Sequence, residues 1–232
     1  MADRKIVCCW QFFLVLAFWI SACNNENTGP DNLNPYNNYM VLNSGNCIIY
    51  NVDSTDYSVK QPNHFSYMLK ELVAGTYKDQ TGKTCYRIER YVRKDSMAGW
   101  SLKDVWSAYI DGDEYQRVEE NITYVRMVFP LKSDDYFNAN KYNNLGSELS
   151  FVRSLHCPFR LGKVIFDSTV TIIHKADTTN LVKNRLVKSV YAWNTGLVYF
   201  YEDSLTLSFD PGRKGDTIGG YSLKYIFDSK NF

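Results

Sequence analysis

The chain has 232 residues, with 26 Lys and Arg against 25 Asp and Glu, and a formal net charge of +1 at pH 7. This balance excludes the basic excess typical of nucleic-acid-binding proteins, and 45% hydrophobic residues exclude a disordered chain. The length fits one domain behind a leader, and 18 Tyr with 13 Phe favour pleated sheet over helix.

Residues 1–22 have the pattern of an export signal peptide. Arg4 and Lys5 precede an apolar run at 6–20, which is shorter than the ~20 residues of a comfortable transmembrane helix. The run ends in Ile20-Ser21-Ala22-Cys23, which resembles the bacterial lipoprotein box. The resemblance implies cleavage before Cys23, acylation of that cysteine with palmitate-type chains, and a lipid-anchored outer-membrane location. The alternative is an ordinary signal or an uncleaved anchor that carries a cysteine by chance.

Residues 23–45 are predicted to tether the lipidated cysteine to the folded domain. Between Asn24 and Asn38 there are seven Asn, two Pro and one Gly, a composition that buries too little apolar surface to order itself. Glu26 and Asp31 are the only acids there. Surface-exported lipoproteins of some Gram-negative bacteria carry a denser acidic cluster, so the periplasmic and cell-surface faces both stay open.

Residues 46–232 are predicted to form a single β-rich domain. Short runs rich in Tyr, Val, Ile and Phe alternate with polar residues, and turn residues such as Asp111-Gly112 separate them. In 221–228 the apolar residues Tyr221, Leu223, Tyr225 and Phe227 recur with a period of two. Strands are predicted near 46–53, 64–76, 83–93, 99–110, 114–118, 121–129, 163–175, 184–194, 197–208 and 221–228.

The fold class that follows is all-β and mainly antiparallel, with little helix. A meander of about ten strands avoids bare edges by closing, or nearly closing, into a barrel or half-barrel. Segment 131–162 is expected to be irregular, and 144–154 is the best helix candidate within it.

No motif in the sequence indicates catalysis, so we expect no enzymatic activity, no catalytic residues and no cofactor. His156 and Cys157 are adjacent on an extended segment and would point to opposite faces. This favours a buried thiol beside a structural histidine. Asp111, Asp113 and Glu114 form an acidic turn without the spacing of a calcium-binding loop, so we expect a solvated hairpin tip and no metal site.

The folded domain contains three cysteines, Cys47, Cys85 and Cys157. An odd number allows at most one internal disulfide and does not describe a disulfide scaffold. The sequence leaves the state of all three open.

Asp followed by Ser or Thr and then a small or aliphatic residue occurs six times. The pattern resembles the O-glycosylation sequon of exported Bacteroidota proteins. It implies modified hydroxyl groups at Ser54, Ser96, Ser168, Thr178, Ser204 and Thr217. The alternative is that these dipeptides only mark turns.

Three segments are similar to Bacteroidota cell-envelope lipoproteins to which no activity is attached: 86–91, 100–108 and 119–130. The likeness runs from about residue 45 to the end and implies a location without an activity. A shorter segment, 191–199, is similar to a hairpin of half-barrel envelope proteins of the lipoprotein-carrier type. Those proteins hold acyl chains on the concave face of a curved sheet.

Two functions are expected for such a protein, and both attach it to a membrane through its lipid anchor. The first is a non-catalytic accessory subunit of an outer-membrane assembly, with an outer-membrane protein as partner, a filled core and an exposed Tyr/Trp-rich patch. The alternative is a binding module that holds an apolar or amphipathic ligand, lipid or glycan, in a barrel mouth. An enzyme would need a pocket of perturbed acids or histidines. No nucleic-acid partner is expected.

Overall fold

A computed structural model of the protein describes residues 38–177 and 179–231. The predicted signal peptide, the lipidation site Cys23, most of the predicted tether and Thr178 lie outside these residues. Within the described ranges no helix is long and apolar enough to cross a membrane.

Twelve antiparallel strands form a single sheet, which confirms the all-β, antiparallel prediction. The strands are β1 (Cys47–Asp56), β2 (Asn63–Lys78), β3 (Thr84–Arg93), β4 (Ser101–Asp111), β5 (Glu114–Glu119), β6 (Ile122–Val128), β7 (Tyr136–Asn138), β8 (Leu149–Leu161), β9 (Val164–Asp177), β10 (Lys183–Ala192), β11 (Gly196–Leu207) and β12 (Thr217–Lys230). Their order is β6-β5-β4-β3-β2-β1-β12-β11-β10-β9-β8-β7. The first strand therefore pairs with the last at the centre of the sheet.

The two edges of the sheet, β6 and β7, come together and nearly close it into a barrel. The backbone N–H of Val125 donates to the carbonyl oxygen of Ala139, with 2.9 Å between N and O. The side-chain amide of Asn143 donates to the carbonyl oxygen of Thr123 at 2.8 Å. These contacts cover the unpaired backbone groups that an open edge would expose, as the sequence predicted.

The segment 131–162 differs from its prediction. It contains two strands, β7 and β8, where an irregular stretch was expected, and the helix candidate at 144–154 is wrong because its second half lies in β8. The pairing of β8 with β9 shifts register three times between Val152 and Phe159. Each shift adds a residue without a partner, so the two-residue alternation that reveals a strand is lost there.

Because the strands alternate in direction, all loops that follow odd-numbered strands lie at one end of the barrel, here called the open end. The other end, the closed end, is filled by apolar side chains that include Val73, Met127 and Ile172. Tyr39 and Met40 belong to this core and are 0% and 7% exposed. The folded domain therefore begins before residue 46, and the predicted tether boundary at residue 45 lies too far along the chain.

The far half of the β8–β9 hairpin packs against the outer face of the sheet. Phe159 and Phe166 contact a small apolar cluster of Val190, Ala192 and Val198. These residues alternate with the inward-facing residues of β10 and β11. The bulges of β8 allow this bend because each one increases the local twist.

Candidate functional site: a charged cavity in the open half of the barrel

A cavity of about 420 Å³ lies inside the barrel. Its walls include Glu71 of β2, Arg117 of β5, His174 of β9 and Tyr225 of β12, so both halves of the sheet contribute. Glu120, Glu148 and Tyr221 line it at the open end. The volume falls within the range of about 300–1,000 Å³ that is usual for small-molecule sites.

Two buried arginines bind one carboxylate at the base of the cavity. Arg117 donates from Nη2 to both oxygens of Glu71 at 3.2 Å, and Arg90 donates from Nε to Oε1 at 3.0 Å. Arg90 also donates from Nη1 to Asp104 at 3.0 Å. Arg90 and Arg117 are only 2% and 7% exposed. Buried charges need such pairing because they have lost their hydration.

A second ion pair continues this network toward β6. Arg126 makes two parallel hydrogen bonds to Glu119, from Nε at 3.0 Å and from Nη2 at 2.6 Å. Arg117 Nε lies 3.5 Å from the nearer oxygen of Glu119 but has no hydrogen-bond partner. Arg117 therefore joins the Glu119 pair to the network around Glu71.

The carboxylates of this network are held in the charged form. Burial alone would raise the pKa of Glu71, but Arg117 and Arg90 outweigh it and lower that pKa below its ordinary value. The pKa of Glu119 is lowered in the same way, because Arg126 and Arg117 outweigh burial. Both groups are therefore hydrogen-bond acceptors at neutral pH and not proton donors.

Aromatic rings provide the apolar part of the cavity wall. The guanidinium of Arg90 lies 3.6 Å from the ring centroid of Trp106, and that of Arg117 lies 5.1 Å away. The indole N–H of Trp106 donates to Glu120 at 3.3 Å. Arg90 donates from Nη2 to the hydroxyl of Tyr225 at 3.1 Å, and burial raises the pKa of Tyr225 to about 12. These contacts fix both rings in place.

The mouth of the cavity carries a second charged group. Arg185 donates to Glu148 at 2.9 Å and to Glu202 at 3.4 Å, and the hydroxyl of Tyr221 donates to Glu202 at 2.7 Å. Glu120 lies nearby in the β5–β6 turn. The three carboxylates of Glu120, Glu148 and Glu202 therefore outnumber the one guanidinium group of Arg185 at the mouth. This excess gives the mouth a negative potential.

His174 lies in the cavity wall but is not a candidate base. It is 1% exposed, and its Nδ1 and Nε2 bond to the hydroxyls of Ser150 and Ser189 at 3.1 and 3.0 Å. Burial, together with Arg126 and Arg185, lowers its pKa to about 3. The imidazole is therefore neutral across the physiological pH range.

The residues predicted as glycosylation sites do not gather in one place. Ser96 is exposed in the β3–β4 turn, while Ser54, Ser204 and Thr217 are half-buried in strands. The hydroxyl of Ser168 bonds to the hydroxyl of Tyr39 at 2.9 Å and to His156 Nδ1 at 3.2 Å. The modification of these residues stays a prediction, as does that of Thr178.

The three described cysteines are free thiols. Cys85 is buried, Cys47 is half-buried and Cys157 is exposed. Burial raises the pKa of Cys47 and of Cys85. The expectation of a buried thiol at Cys157 is wrong, because register shifts flank this residue and His156 adopts a φ of 54°.

The acidic turn at 111–114 is only partly a solvated tip. Glu114 is 7% exposed and accepts hydrogen bonds from Lys141 at 2.6 Å and Gln116 at 3.1 Å. Its expected solvation is therefore wrong, because the β7–β8 loop covers it. Within the described residues, no group of three or more His, Cys, Asp or Glu could hold a metal ion.

Sequence reasoning missed the cavity residues. A charged residue within a strand usually marks the solvent face, and this expectation concealed Glu71, Arg90 and Arg117. The available signal was their position in the two-residue repeat of the strand. Glu71 lies two residues from both Leu69 and Val73, which are buried, so the three side chains share one face. That position predicts an inward side chain, but the pairing partners lie too far apart in the chain to be recognised.

The comparisons with known proteins are sparse. No protein-family model matches the chain, and no curated protein matches it significantly. One similar solved structure is a candidate exported protein with a YmcC-like fold from Bacteroides fragilis NCTC 9343, 8% identical with a TM-score of 0.43, over 82% of this chain and 97% of that chain. Another is a candidate lipoprotein from Parabacteroides distasonis ATCC 8503, 10% identical with a TM-score of 0.37, over 83% and 98%.

Proposed function

We propose that the protein is a non-catalytic binding module of the cell envelope, anchored to the outer membrane through Cys23. It holds a polar, ring-bearing ligand of the glycan class in the barrel cavity. The observation that carries this proposal is the lining of the 420 Å³ cavity, which combines paired Arg and Glu side chains with Trp and Tyr rings. The anchor rests on the lipoprotein box and the location on the resemblance to envelope lipoproteins.

The chemistry of the lining matches that of a sugar. Sugar hydroxyl groups both donate and accept hydrogen bonds, so they can contact Glu202 as an acceptor and the partly exposed Arg185 as a donor. Their rings also present apolar C–H faces, which pack well on fixed aromatic rings such as Trp106. A site with a few convergent polar groups between aromatic walls fixes both the position and the identity of its ligand.

An acyl chain matches this cavity poorly. The carboxylates of Glu71 and Glu119 and the guanidinium of Arg126 face the cavity. An acyl chain in contact with them would remove their remaining hydration without replacing it, at several kcal/mol for each charged group. Of the two ligand classes that the sequence suggested, lipid and glycan, the cavity therefore favours the glycan.

The absence of catalysis is part of the proposal. Glycoside hydrolysis needs one carboxylic acid with a raised pKa beside a second carboxylate. Arg117 and Arg126 instead lower the pKa values of Glu71 and Glu119. The neutral His174 is held by two serine hydroxyls, which leaves it no substrate-facing role.

A glycan microarray tests the proposal. The full-length lipoprotein in detergent should bind a restricted set of glycans, and Trp106→Leu should weaken that binding about tenfold, since the contact of a sugar ring with an aromatic ring contributes ~1.4 kcal/mol. Trp100→Leu is the matched control, because Trp100 stacks between Lys70 and Arg93 and does not line the cavity. The proposal is contradicted if no glycan binds, or if both variants lose the same amount of binding.

The lipid anchor has its own test. If Cys23→Ser does not abolish palmitate labelling, the anchor is contradicted.

A second candidate function, an accessory subunit of an outer-membrane assembly, is favoured by a different observation. Tyr136, Leu149 and Phe151 share the outer face of the β7–β8 edge, where Tyr136 and Leu149 are 66% and 63% exposed. The rings of Tyr136 and Phe151 lie 5.3 Å apart. If this cluster contacts an outer-membrane protein, Leu149→Glu should dissociate a stoichiometric complex that Val105→Glu, at a distant exposed position of β4, leaves intact.

A further inference from the structure

The loops at the open end share a feature that the cavity does not explain. Six loops lie there, at 57–62, 94–100, 120–121, 139–148, 179–182 and 208–216. All but the short turn at 120–121 present an exposed large apolar side chain. These side chains, here called the apolar rim, are Val59, Met97, Leu145, Leu181 and Phe209, with exposures of 45%, 93%, 56%, 60% and 63%.

The closed end shows no such feature. Its turns are polar, as in Asp79-Gln80-Thr81-Gly82, Gly112-Asp113 and Gly162-Lys163. Within the described residues, no turn at this end carries an exposed large apolar side chain. The exposed apolar side chains near this end, Tyr77, Tyr136, Val164 and Ile165, lie in the strands beside the turns and not in the turns themselves. The apolar rim is therefore a property of the loops at the end where the cavity opens.

The form of the rim favours a lipid bilayer over a protein partner. Its apolar side chains stand on five separate loops around the cavity mouth, where Tyr142 and Val182 are exposed beside Leu145 and Leu181. A protein interface has a contiguous, closely packed core, whereas the fluid boundary of a bilayer accepts separate side chains at separate depths. Phe and Leu are typical of segments that enter this boundary.

The charges of the loops at the open end agree with this choice. The cations Lys60, Lys94, Arg213 and Lys214 nearly balance the acids Asp95, Glu120, Glu148, Asp210 and Asp216, while Lys141 pairs with Glu114 beside the β4–β5 turn of the closed end. The loops at the open end thus lack the basic excess that would attract anionic lipids. Contact with a bilayer would depend on apolar burial and would not need anionic lipids.

We propose that the open end docks on the surface of a lipid bilayer, with the apolar rim in the hydrocarbon boundary, and that the cavity receives the sugar head group of a glycolipid from that surface. This inference rests on the proposed function and names its ligand. The arrangement matches an amphipathic molecule, since the polar head faces the charged cavity and the acyl chains stay among the rim residues.

The lipid anchor permits this orientation. The chain enters the domain at the closed end, where the backbone N–H of Asn194 donates to the carbonyl oxygen of Asn38 at 2.7 Å. Asn38 lies 15 positions after Cys23, a length of chain that can span at most about 50 Å. The ten residues of β1, which run from the closed to the open end, span about 33 Å. The open end can therefore reach the bilayer that holds the anchor.

Depth-dependent fluorescence quenching tests the docking. The full-length lipoprotein, with Cys157→Ser to remove the exposed thiol, is reconstituted in phosphatidylcholine vesicles that contain spin-labelled lipid. An environment-sensitive fluorophore is attached at Met97→Cys on the rim or, as the matched control, at Lys163→Cys in a closed-end turn. The parent without either new cysteine gives the background. We expect quenching and a blue shift at position 97 and neither at position 163. Equal signals at both positions overturn the proposal.

A second set of vesicles, containing digalactosyldiacylglycerol, tests the head group. We expect this glycolipid to strengthen the quenching at position 97, and Trp106→Leu to remove that gain while leaving the quenching in phosphatidylcholine. Glycan binding on the array without quenching at position 97 overturns the docking and leaves the proposed function standing. If neither the glycolipid nor Trp106→Leu changes the quenching at position 97, the head-group assignment is overturned. If the glycan array also shows no binding, the proposed function is overturned as well.

Discussion

Arg117 of β5 donates from Nη2 to both carboxylate oxygens of Glu71 of β2, each at 3.2 Å. β3 and β4 lie between these strands in the sheet, so the pair crosses the concave side of the sheet instead of joining neighbours. The curvature brings the two side chains together, and the pair in turn connects distant strands. It also forms the base of the cavity.

Removal of Arg117 should therefore cost far more stability than removal of a surface arginine. Arg117→Ala leaves Glu71 and Glu119 buried without their shared partner, and we expect a loss of about 3 kcal/mol in the free energy of unfolding. Arg87→Ala is the control, because Arg87 pairs with Glu89 at 2.9 Å while half of its side chain is exposed. That variant should lose less than about 1 kcal/mol. Urea unfolding measures both, and equal losses would mean that the network does not stabilise the barrel.

His174 should make the stability depend on pH. Its pKa is lowered from 6.5 to about 3 in the folded protein because of burial. Below about pH 6.5 the unfolded chain binds a proton that the folded barrel does not, so the free energy of unfolding falls as the pH falls from 6.5 toward 3. From pH 7 to pH 5 this single group should contribute a loss of about 2 kcal/mol.

The variant His174→Asn should lack this contribution, so its stability should fall by about 2 kcal/mol less than that of the wild type between pH 7 and pH 5. His64 is exposed, and His64→Asn should retain the wild-type dependence. Urea unfolding at the two pH values measures the difference. Identical dependence in all three proteins would show that His174 is not held neutral by the fold.

Gly220 should be intolerant of any side chain. A Cβ atom at this position would lie 1.9 Å from the carbonyl oxygen of Ser204 and 2.9 Å from Cα of Leu205, and φ is +100°. Gly215 has a similar φ of +89° but open space around it. We expect about 1 kcal/mol of destabilisation for Gly215→Ala from the left-handed backbone. Gly220→Ala should cost at least about 3 kcal/mol, because backbone atoms must move. Thermal unfolding compares the pair, and similar melting temperatures would argue against the close approach of β11 and β12.

Ser96 is the best placed of the five described glycosylation candidates. It is exposed in a turn, whereas the hydroxyl of Ser168 is occupied by Tyr39 and His156. Intact mass spectrometry of the native lipoprotein should show sugar mass that Ser96→Ala removes and Ser168→Ala retains. A wild-type mass that equals the acylated polypeptide alone would exclude modification at every candidate.

The sequence predicts most of the sheet because alternation and turn residues are local signals. Tyr221, Leu223 and Tyr225 were predicted to share a face, and all three line the cavity. β8 was not predicted because three register shifts interrupt its alternation of inward and outward side chains. The burial of Tyr39 and Met40 in the core was not predicted either, because an Asn-rich segment precedes these residues.

The site was harder to predict than the fold because its chemistry depends on partners that are distant in sequence. Glu71 and Arg117 are 46 residues apart, and Arg90 and Tyr225 are 135 apart. The spacing of Glu71 from Leu69 and Val73 indicates an inward side chain, but it does not indicate which charges that side chain meets. Only the curvature of the whole sheet shows that these charges face one another.

Native mass spectrometry of the full-length protein, extracted gently from its own membrane, tests the central claim most directly. We predict a monomer that carries the added mass of one small glycan or glycolipid, and we predict that Trp106→Leu loses this mass while Trp100→Leu keeps it. A ligand-free protein in a stoichiometric complex with a membrane protein would contradict the binding module and favour the accessory subunit.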